Sequence, residues 1–302
     1  MITNRIAVIL IAAGLISITS FGTAKEKGAG ASAFEKGNQL FDAKQYDQAI
    51  NAFTTAINAN PKEPTYYVNR GFTFLAMNRA AEAMDDFSKA IELAPKDEKA
   101  YSGRAQAYLA QRMYDQALAD AEQAVQLKPD EAVGYKFRGF AQLGLSQWDK
   151  ALADFTTSIQ KNPNDLENYD RRAFAYRGLK NYDAAIADYT FILEKTPEDA
   201  GTLAKRGYTQ SLKQDYEKAI ADYEAALKIK QDDYDTQQRL QYARSMLAAK
   251  NAPPSTPTPT PAESHILTPL NIVIAMVLIV VIAVVVRFVT RGKEEPTSSR
   301  IR

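Results

Sequence analysis

Apolar residues recur along this chain at the spacing of an α-helix that buries one face. A clear example is the set Ala49, Ile50, Phe53, Ala56 and Ile57. Positions i, i+3, i+4 and i+7 of a helix lie on one side, so this spacing predicts an amphipathic helix. Short polar breaks, such as residues 44–45 and 180–181, divide the apolar segments. The pattern predicts pairs of helices joined by tight turns.

The helix pairs repeat every 34 residues, and the period is marked by Pro61, Pro95, Pro129, Pro163 and Pro197. Each proline would end the second helix of its pair. In this register, position 20 of every unit is alanine, and position 8 is glycine or alanine. Such small residues let two helices approach closely. The units are 30–63, 64–97, 98–131, 132–165, 166–199 and 200–233. A fixed period of this length is typical of a solenoid, in which each unit packs on its neighbours.

Large aromatic residues flank the small ones. The fourth position holds Tyr67, Tyr101, Tyr135 and Tyr169, and the twenty-fourth holds Phe53, Phe87, Phe155, Tyr189 and Tyr223. With the small residues and the closing proline, this order resembles the tetratricopeptide repeat family over residues 30–231. The resemblance implies an all-α solenoid, a right-handed superhelix of helix-turn-helix repeats. It also implies a C-terminal capping helix, which residues 234–249 would form.

The N-terminal segment differs in composition from the repeats. Residues 1–24 have a basic start at Arg5, an apolar run over 6–18 and small residues at 22–24. This layout predicts a secretory signal peptide, and an uncleaved membrane anchor is the alternative. A flexible lead-in over 25–32 would connect it to the repeats of residues 33–250.

The C-terminal segment predicts a membrane anchor. Prolines and threonines dominate residues 251–269, which favours an extended stalk. Residues 270–289 carry no charge before Arg287 and predict a single transmembrane helix, with a buried core helix as the alternative. The basic tail over 290–302 would be cytoplasmic. The protein is therefore expected to be a single-pass membrane protein whose repeats lie outside the cytoplasm, in a bacterial cell envelope.

Composition argues against several kinds of chemistry. The 302 residues include no cysteine and one histidine, and the formal net charge is +1. Thiol catalysis and thiolate metal sites are thereby excluded, and a neutral protein is a poor ligand for nucleic acid. The single histidine, His265, lies in the proline-rich stalk. No enzyme, cofactor or metal is expected, and a hydrolase stays open only if two carboxylates face one cleft.

Arginine and aspartate recur as a pair. Position 7 is arginine and position 23 is aspartate in five repeats, whereas the first repeat has Lys36 and Ala52. The pattern predicts an ion pair between packed helices, repeated five times. Whether each pair lies within one repeat or joins two neighbours stays open. The residues are Arg70, Asp86, Arg104, Asp120, Arg138, Asp154, Arg172, Asp188, Arg206 and Asp222.

In tetratricopeptide proteins the first helices line a concave groove, so the resemblance implies candidate binding residues here. They are Asn38, Phe41, Phe72, Leu75, Gln106, Lys136, Phe140, Phe174, Arg177 and Tyr208. Lys136, Asp170, Arg171 and Arg177 form a charged region in the fourth and fifth repeats that could orient a ligand. The alternative is that part of this stripe packs between successive first helices.

Two functions are consistent with the sequence. The first is a membrane-tethered scaffold that binds a peptide or protein segment in the groove. The second is an architectural or self-associating spacer of an envelope complex, without a dedicated groove ligand.

Overall fold

The structure is a computed structural model that describes residues 28–252 and 269–291. The protein divides into two compact units, Met1–Ala248 and Ala249–Arg302. Within the described ranges all regular structure is helical and no strand occurs. The predicted signal peptide, residues 25–27 of the lead-in, most of the stalk and most of the basic tail lie outside the described residues. Residues 29–32, predicted to be part of a flexible lead-in, instead form the first turn of the first helix.

The first unit contains six helix pairs and a final helix, which confirms the predicted all-α solenoid of repeats. The first helices of the pairs are α1 (Ala29–Asp42), α3 (Pro64–Ala76), α5 (Glu98–Ala110), α7 (Ala132–Gly144), α9 (Leu166–Gly178) and α11 (Ala200–Leu212). The second helices are α2 (Tyr46–Ala59), α4 (Ala80–Leu93), α6 (Tyr114–Leu127), α8 (Trp148–Lys161), α10 (Tyr182–Lys195) and α12 (Tyr216–Ile229). The final helix is α13 (Tyr234–Asn251).

Each first helix stops at one residue with a left-handed backbone. In the second repeat this residue is Asn78, with φ 60°. It lets the next amide, Arg79 N–H, turn back and donate to the Phe74 carbonyl over 2.8 Å. The corresponding residues of the other repeats are Lys44, Arg112, Ser146, Lys180 and Gln214. Because no glycine occupies these positions, the sequence signal for the turns is only their polarity and spacing.

In five of the six repeats the core is an aromatic ring resting on a small residue, and in the third repeat Ala121 takes the place of the ring. Phe53 is 1% exposed, and a Cβ added to Gly37 would come within 2.5 Å of its ring. Glycine is needed there because any side chain would push the two helices of the pair apart. The same contact recurs between Gly71 and Phe87 and between Gly139 and Phe155.

The first helices also contact one another along the array, α1 with α3, α3 with α5, α5 with α7 and α7 with α9, and α9 meets α11 through the ion pair of Asp170 with Lys205. They therefore form one continuous face, which we call the first-helix face.

The second unit contains one described helix, α14 (Pro269–Arg291). Its described side chains, residues 272–287, are exposed. No helix in the described ranges combines the length and apolarity that crossing a membrane requires. The structure thus gives no support to the transmembrane helix predicted over 270–289.

Candidate functional site

The arginine and aspartate of each pair meet inside a single repeat. Arg70 on α3 donates through Nε and Nη2 to both carboxylate oxygens of Asp86 on α4, at 2.8 and 2.7 Å. The equivalent bidentate pairs are Arg104–Asp120, Arg138–Asp154, Arg172–Asp188 and Arg206–Asp222. The alternative that spacing left open is therefore decided, since each pair joins the two helices of one unit.

A third donor of the same arginine reaches the preceding repeat. Arg70 Nη1 donates to the Thr54 hydroxyl over 2.9 Å, and Arg104 Nη1 donates to the Ser88 hydroxyl over 3.0 Å. The hydrogen bond with Asp86 raises the pKa of Arg70. Burial raises the pKa of Asp86, and the hydrogen bond from Arg70 opposes that shift. These arginines are committed to packing and offer no basic ladder to a ligand.

Most predicted groove residues of the first three repeats are occupied by internal contacts. Asn38 accepts a hydrogen bond from Asn69 over 2.8 Å, which links the first two repeats. Leu75 is 8% exposed and packs in the core, so it is not available to a ligand. Phe72 lies edge-on to Phe87, with ring centroids 5.0 Å apart. The two other predicted groove residues of these repeats, Phe41 and Gln106, are half-buried.

Lys136, also predicted to face a ligand, is buried in an ion cluster. Its side chain is 8% exposed, and Nζ lies 2.7 Å from Asp165 and 2.9 Å from Glu167. Asp165 is the last residue of the same repeat and caps the start of α9, whereas Glu167 stands in the first turn of α9, in the next repeat. Sequence spacing did not indicate this cluster, because the meeting of α7 with the start of α9 depends on how repeats stack.

The other predicted groove residues of the last three repeats, Phe140, Phe174, Arg177 and Tyr208, lie in a row of rings and guanidinium groups. Arg171 Cζ lies 5.0 Å from the centroid of Phe140, and Arg177 Cζ lies 5.2 Å from the centroids of both Phe174 and Tyr208. Arg239 of α13 lies 4.5 Å from the Tyr208 centroid. We call this set the aromatic–arginine row: Phe140, Arg171, Phe174, Arg177, Tyr208 and Arg239.

The most accessible ring of the row is Phe174, which is 40% exposed and rests on Trp148 with centroids 5.7 Å apart. Phe140 is half-buried and lies edge-on to Phe155 at 5.6 Å. Phe174 is therefore the ring best placed to contact a ligand. Arg239 was missed from sequence because α13 lies outside the 34-residue alignment and carries none of its signals.

Two guanidinium groups of the row have unused donors. Arg171 Nε is buried without a hydrogen-bond partner among the described residues, although the guanidinium is ion-paired: Nη2 lies 3.6 Å from Glu167 and Nε lies 3.9 Å from Asp170. Arg177 has one polar contact in the same part of the protein, in which Nη1 donates to the Tyr189 hydroxyl over 3.5 Å. In the described ranges, no group of three or more His, Cys, Asp or Glu side chains is arranged to hold a metal ion. The row is suited to binding by stacking and hydrogen bonding.

Stacked helix pairs with an accessible face define a helical-repeat protein. Models of the TPR repeat family match residues 37–78, and tetratricopeptide repeat models match 98–131 and both 64–97 and 200–233. Residues 37–131 and 200–233 of the chain are therefore tetratricopeptide repeats.

Solved structures share the fold at low sequence identity. YrrB, described as a TPR protein with an unusual peptide-binding site, is 24% identical, with 64% of this chain and 98% of YrrB covered and a TM-score of 0.53. For pilF of Pseudomonas aeruginosa the identity is 16%, with 72% of this chain and 97% of pilF covered, and the TM-score is 0.61. A thermophilic TPR protein of Thermus thermophilus is 23% identical, with 60% of this chain and 98% of that protein covered and a TM-score of 0.51.

Proposed function

We propose that this protein is a non-enzymatic scaffold that binds a peptide or protein segment on the first-helix face of repeats four to six. The observation that carries the proposal is the aromatic–arginine row, where Phe174 is 40% exposed on a rigid helix beside guanidinium groups with unused donors. Aromatic and arginine side chains are the residues that most often dominate binding energy at interfaces. The peptide-binding site described for YrrB lies on the same fold and is consistent with this use.

The proposal includes a membrane tether and a location outside the cytoplasm. Its support is in the sequence: an uncharged run over 270–286, basic residues after it, and a signal-peptide pattern over 1–24. Protease treatment of intact spheroplasts tests the location. Loss of the repeats with survival of a C-terminal tag is expected, whereas protection of the repeats would contradict it. Extraction of the protein by alkaline carbonate would contradict the tether.

Binding on the row is tested by photocrosslinking in membranes with the full-length protein. A photoreactive amino acid replaces Phe174, and the matched control places it at Tyr242, an aromatic residue of α13 that is 57% exposed outside the row. A crosslinked product is expected with the probe at Phe174 and not with the probe at Tyr242. A second variant carries the probe at Phe140, and adding the substitution Phe174→Asp to that variant should abolish its crosslinked product. Identical products from both positions would contradict a dedicated face.

A second candidate function is self-association, and exposed aromatic residues at the end of the array favour it. Tyr234 and Tyr242 of α13, which follows the sixth helix pair, are 70% and 57% exposed. Sedimentation of the full-length protein in detergent distinguishes the two. A mass that rises with concentration and falls with Tyr242→Glu would favour self-association, and a constant monomer mass would exclude it.

A further inference from the structure

Arg177 differs from the other cations on the first helices of repeats four to six because no described residue gives it an acidic partner. Lys136 pairs with Asp165 and Glu167, Lys205 pairs with Asp170, and Arg239 pairs with Asp235. Around Arg177, in contrast, the described residues supply only the Phe174 and Tyr208 rings and a 3.5 Å contact with the Tyr189 hydroxyl. One full positive charge is thus uncompensated at the centre of the aromatic–arginine row.

The two rings orient this guanidinium group for a planar acceptor. Stacking on Phe174 and Tyr208 limits the rotation of the Arg177 side chain and shields its faces, while the N–H donors stay at its edge. A carboxylate is the anion whose two oxygens match that edge, and the resulting charge-assisted bonds are about twice as strong as neutral ones. Because the guanidinium is already ordered, little side-chain entropy would be lost on binding.

A second unused donor lies on the same helix. Arg171 Nε is buried without a hydrogen-bond partner in the described ranges, while Nη2 lies 3.6 Å from Glu167 and Nε lies 3.9 Å from Asp170. Arg171 and Arg177 stand on either side of Phe174 in α9. A ligand that contacts the exposed ring therefore meets Arg177 toward one end of the helix and the ion-paired Arg171 toward the other.

We infer that the segment bound on this face is acidic, with a carboxylate on Arg177 and a neighbouring apolar side chain on Phe174. This inference rests on the proposed function and specifies its partner class. The carboxylate belongs either to an Asp or Glu side chain or to the C-terminus of a polypeptide, and both sources present the same two oxygens.

The test is fluorescence anisotropy with the full-length protein in detergent and three pools of labelled octapeptides. All pools contain Leu and Phe at alternate positions, and the remaining positions are Glu in one, Gln in the second and Lys in the third. Capped and free C-termini are compared within each pool. The Glu pool is expected to bind about tenfold more tightly than the Gln pool, with affinity falling as salt rises. If the higher affinity appears only for peptides with free C-termini, the carboxylate bound by Arg177 is the C-terminal one.

Variants locate the effect on Arg177. Arg177→Gln should reduce affinity for the Glu pool about tenfold and leave the Gln pool unchanged. The matched control Arg112→Gln removes the same charge from an exposed turn of the third repeat and should change neither. Helical circular dichroism and thermal melting check that each variant is folded. If Arg177→Gln does not fold, Arg177→Lys keeps the charge without the planar edge and should lose part of the preference.

The outcomes separate this inference from the proposed function. Equal binding of Glu and Gln pools, or equal effects of the Arg177 and Arg112 variants, would overturn the acidic preference and leave binding on the face intact. If no pool binds, the segment crosslinked to the Phe174 probe is sequenced. A segment without Asp, Glu or a C-terminus next to the crosslink would overturn the inference, and a silent probe would overturn the proposed function as well.

Discussion

Replacing Asp86 with alanine should destabilise the array far more than replacing the adjacent Asp85. The Asp86 side chain is 7% exposed and accepts two charge-assisted hydrogen bonds from Arg70, at 2.8 and 2.7 Å. Asp85 is exposed on the same helix. Because both substitutions change helix propensity by the same amount, the difference between them isolates the ion pair.

The loss of unfolding free energy in Asp86→Ala depends on the contacts that Arg70 retains. Removing one partner of a fully buried ion pair costs about 3 to 5 kcal/mol. Arg70 is 19% exposed and retains the Thr54 hydroxyl at 2.9 Å, so water and that oxygen recover part of the loss. We therefore expect about 3 kcal/mol for Asp86→Ala. The exposed control, Asp85→Ala, should stay within about 0.5 kcal/mol of wild type.

Equilibrium urea unfolding, followed by the helical circular dichroism signal, measures both variants. Repeat arrays can unfold in parts, so hydrogen exchange of α3 and α4 should accompany it. The loss should be largest in these two helices and in the neighbouring second helix α2, which carries Thr54. Equal stabilities for the Asp86 and Asp85 variants would refute the structural role assigned to the ion pair.

Three further changes test other contacts. Gly178→Ala should cost about 1 to 3 kcal/mol in thermal unfolding, because the new Cβ would lie 2.7 Å from the Trp148 ring, and an unchanged melting temperature would contradict that packing. Burial raises the pKa of Glu98, so the folded state holds this proton more readily than the unfolded state does. Glu98→Gln should therefore stabilise the protein at pH 7, with the gain disappearing as pH falls through the raised pKa toward 4.5, and parallel pH profiles would count against it. Lys136→Met should destabilise by about 3 kcal/mol in urea, and adding Glu167→Gln should restore part of that loss if like-charge repulsion is the cause.

Much of the fold could be predicted from residue spacing. The period of the prolines, the helical spacing of Ala49 and Phe53, and the invariant small positions each describe contacts within one unit. The fate of the groove residues could not be predicted in this way. Leu75 and Phe174 both belong to the predicted groove, yet one is 8% exposed in the core and the other is 40% exposed.

The sequence by itself determined that this protein is an array of paired helices, and it determined which residue types occur together. Arginine and aspartate recur at the positions of Arg70 and Asp86 in five repeats, and this recurrence alone indicates an ion pair. Those properties are local, because helical spacing decides which side of a helix is buried.

Only the tertiary structure decided that each ion pair lies within one repeat, that Lys136 is enclosed by acids where the fourth repeat meets the fifth, and that Arg239 of the final helix extends the aromatic–arginine row. The distance between side chains of neighbouring units depends on the offset and rotation with which repeats stack. That geometry comes from the summed packing of whole helices and has no counterpart in the pattern of a single unit.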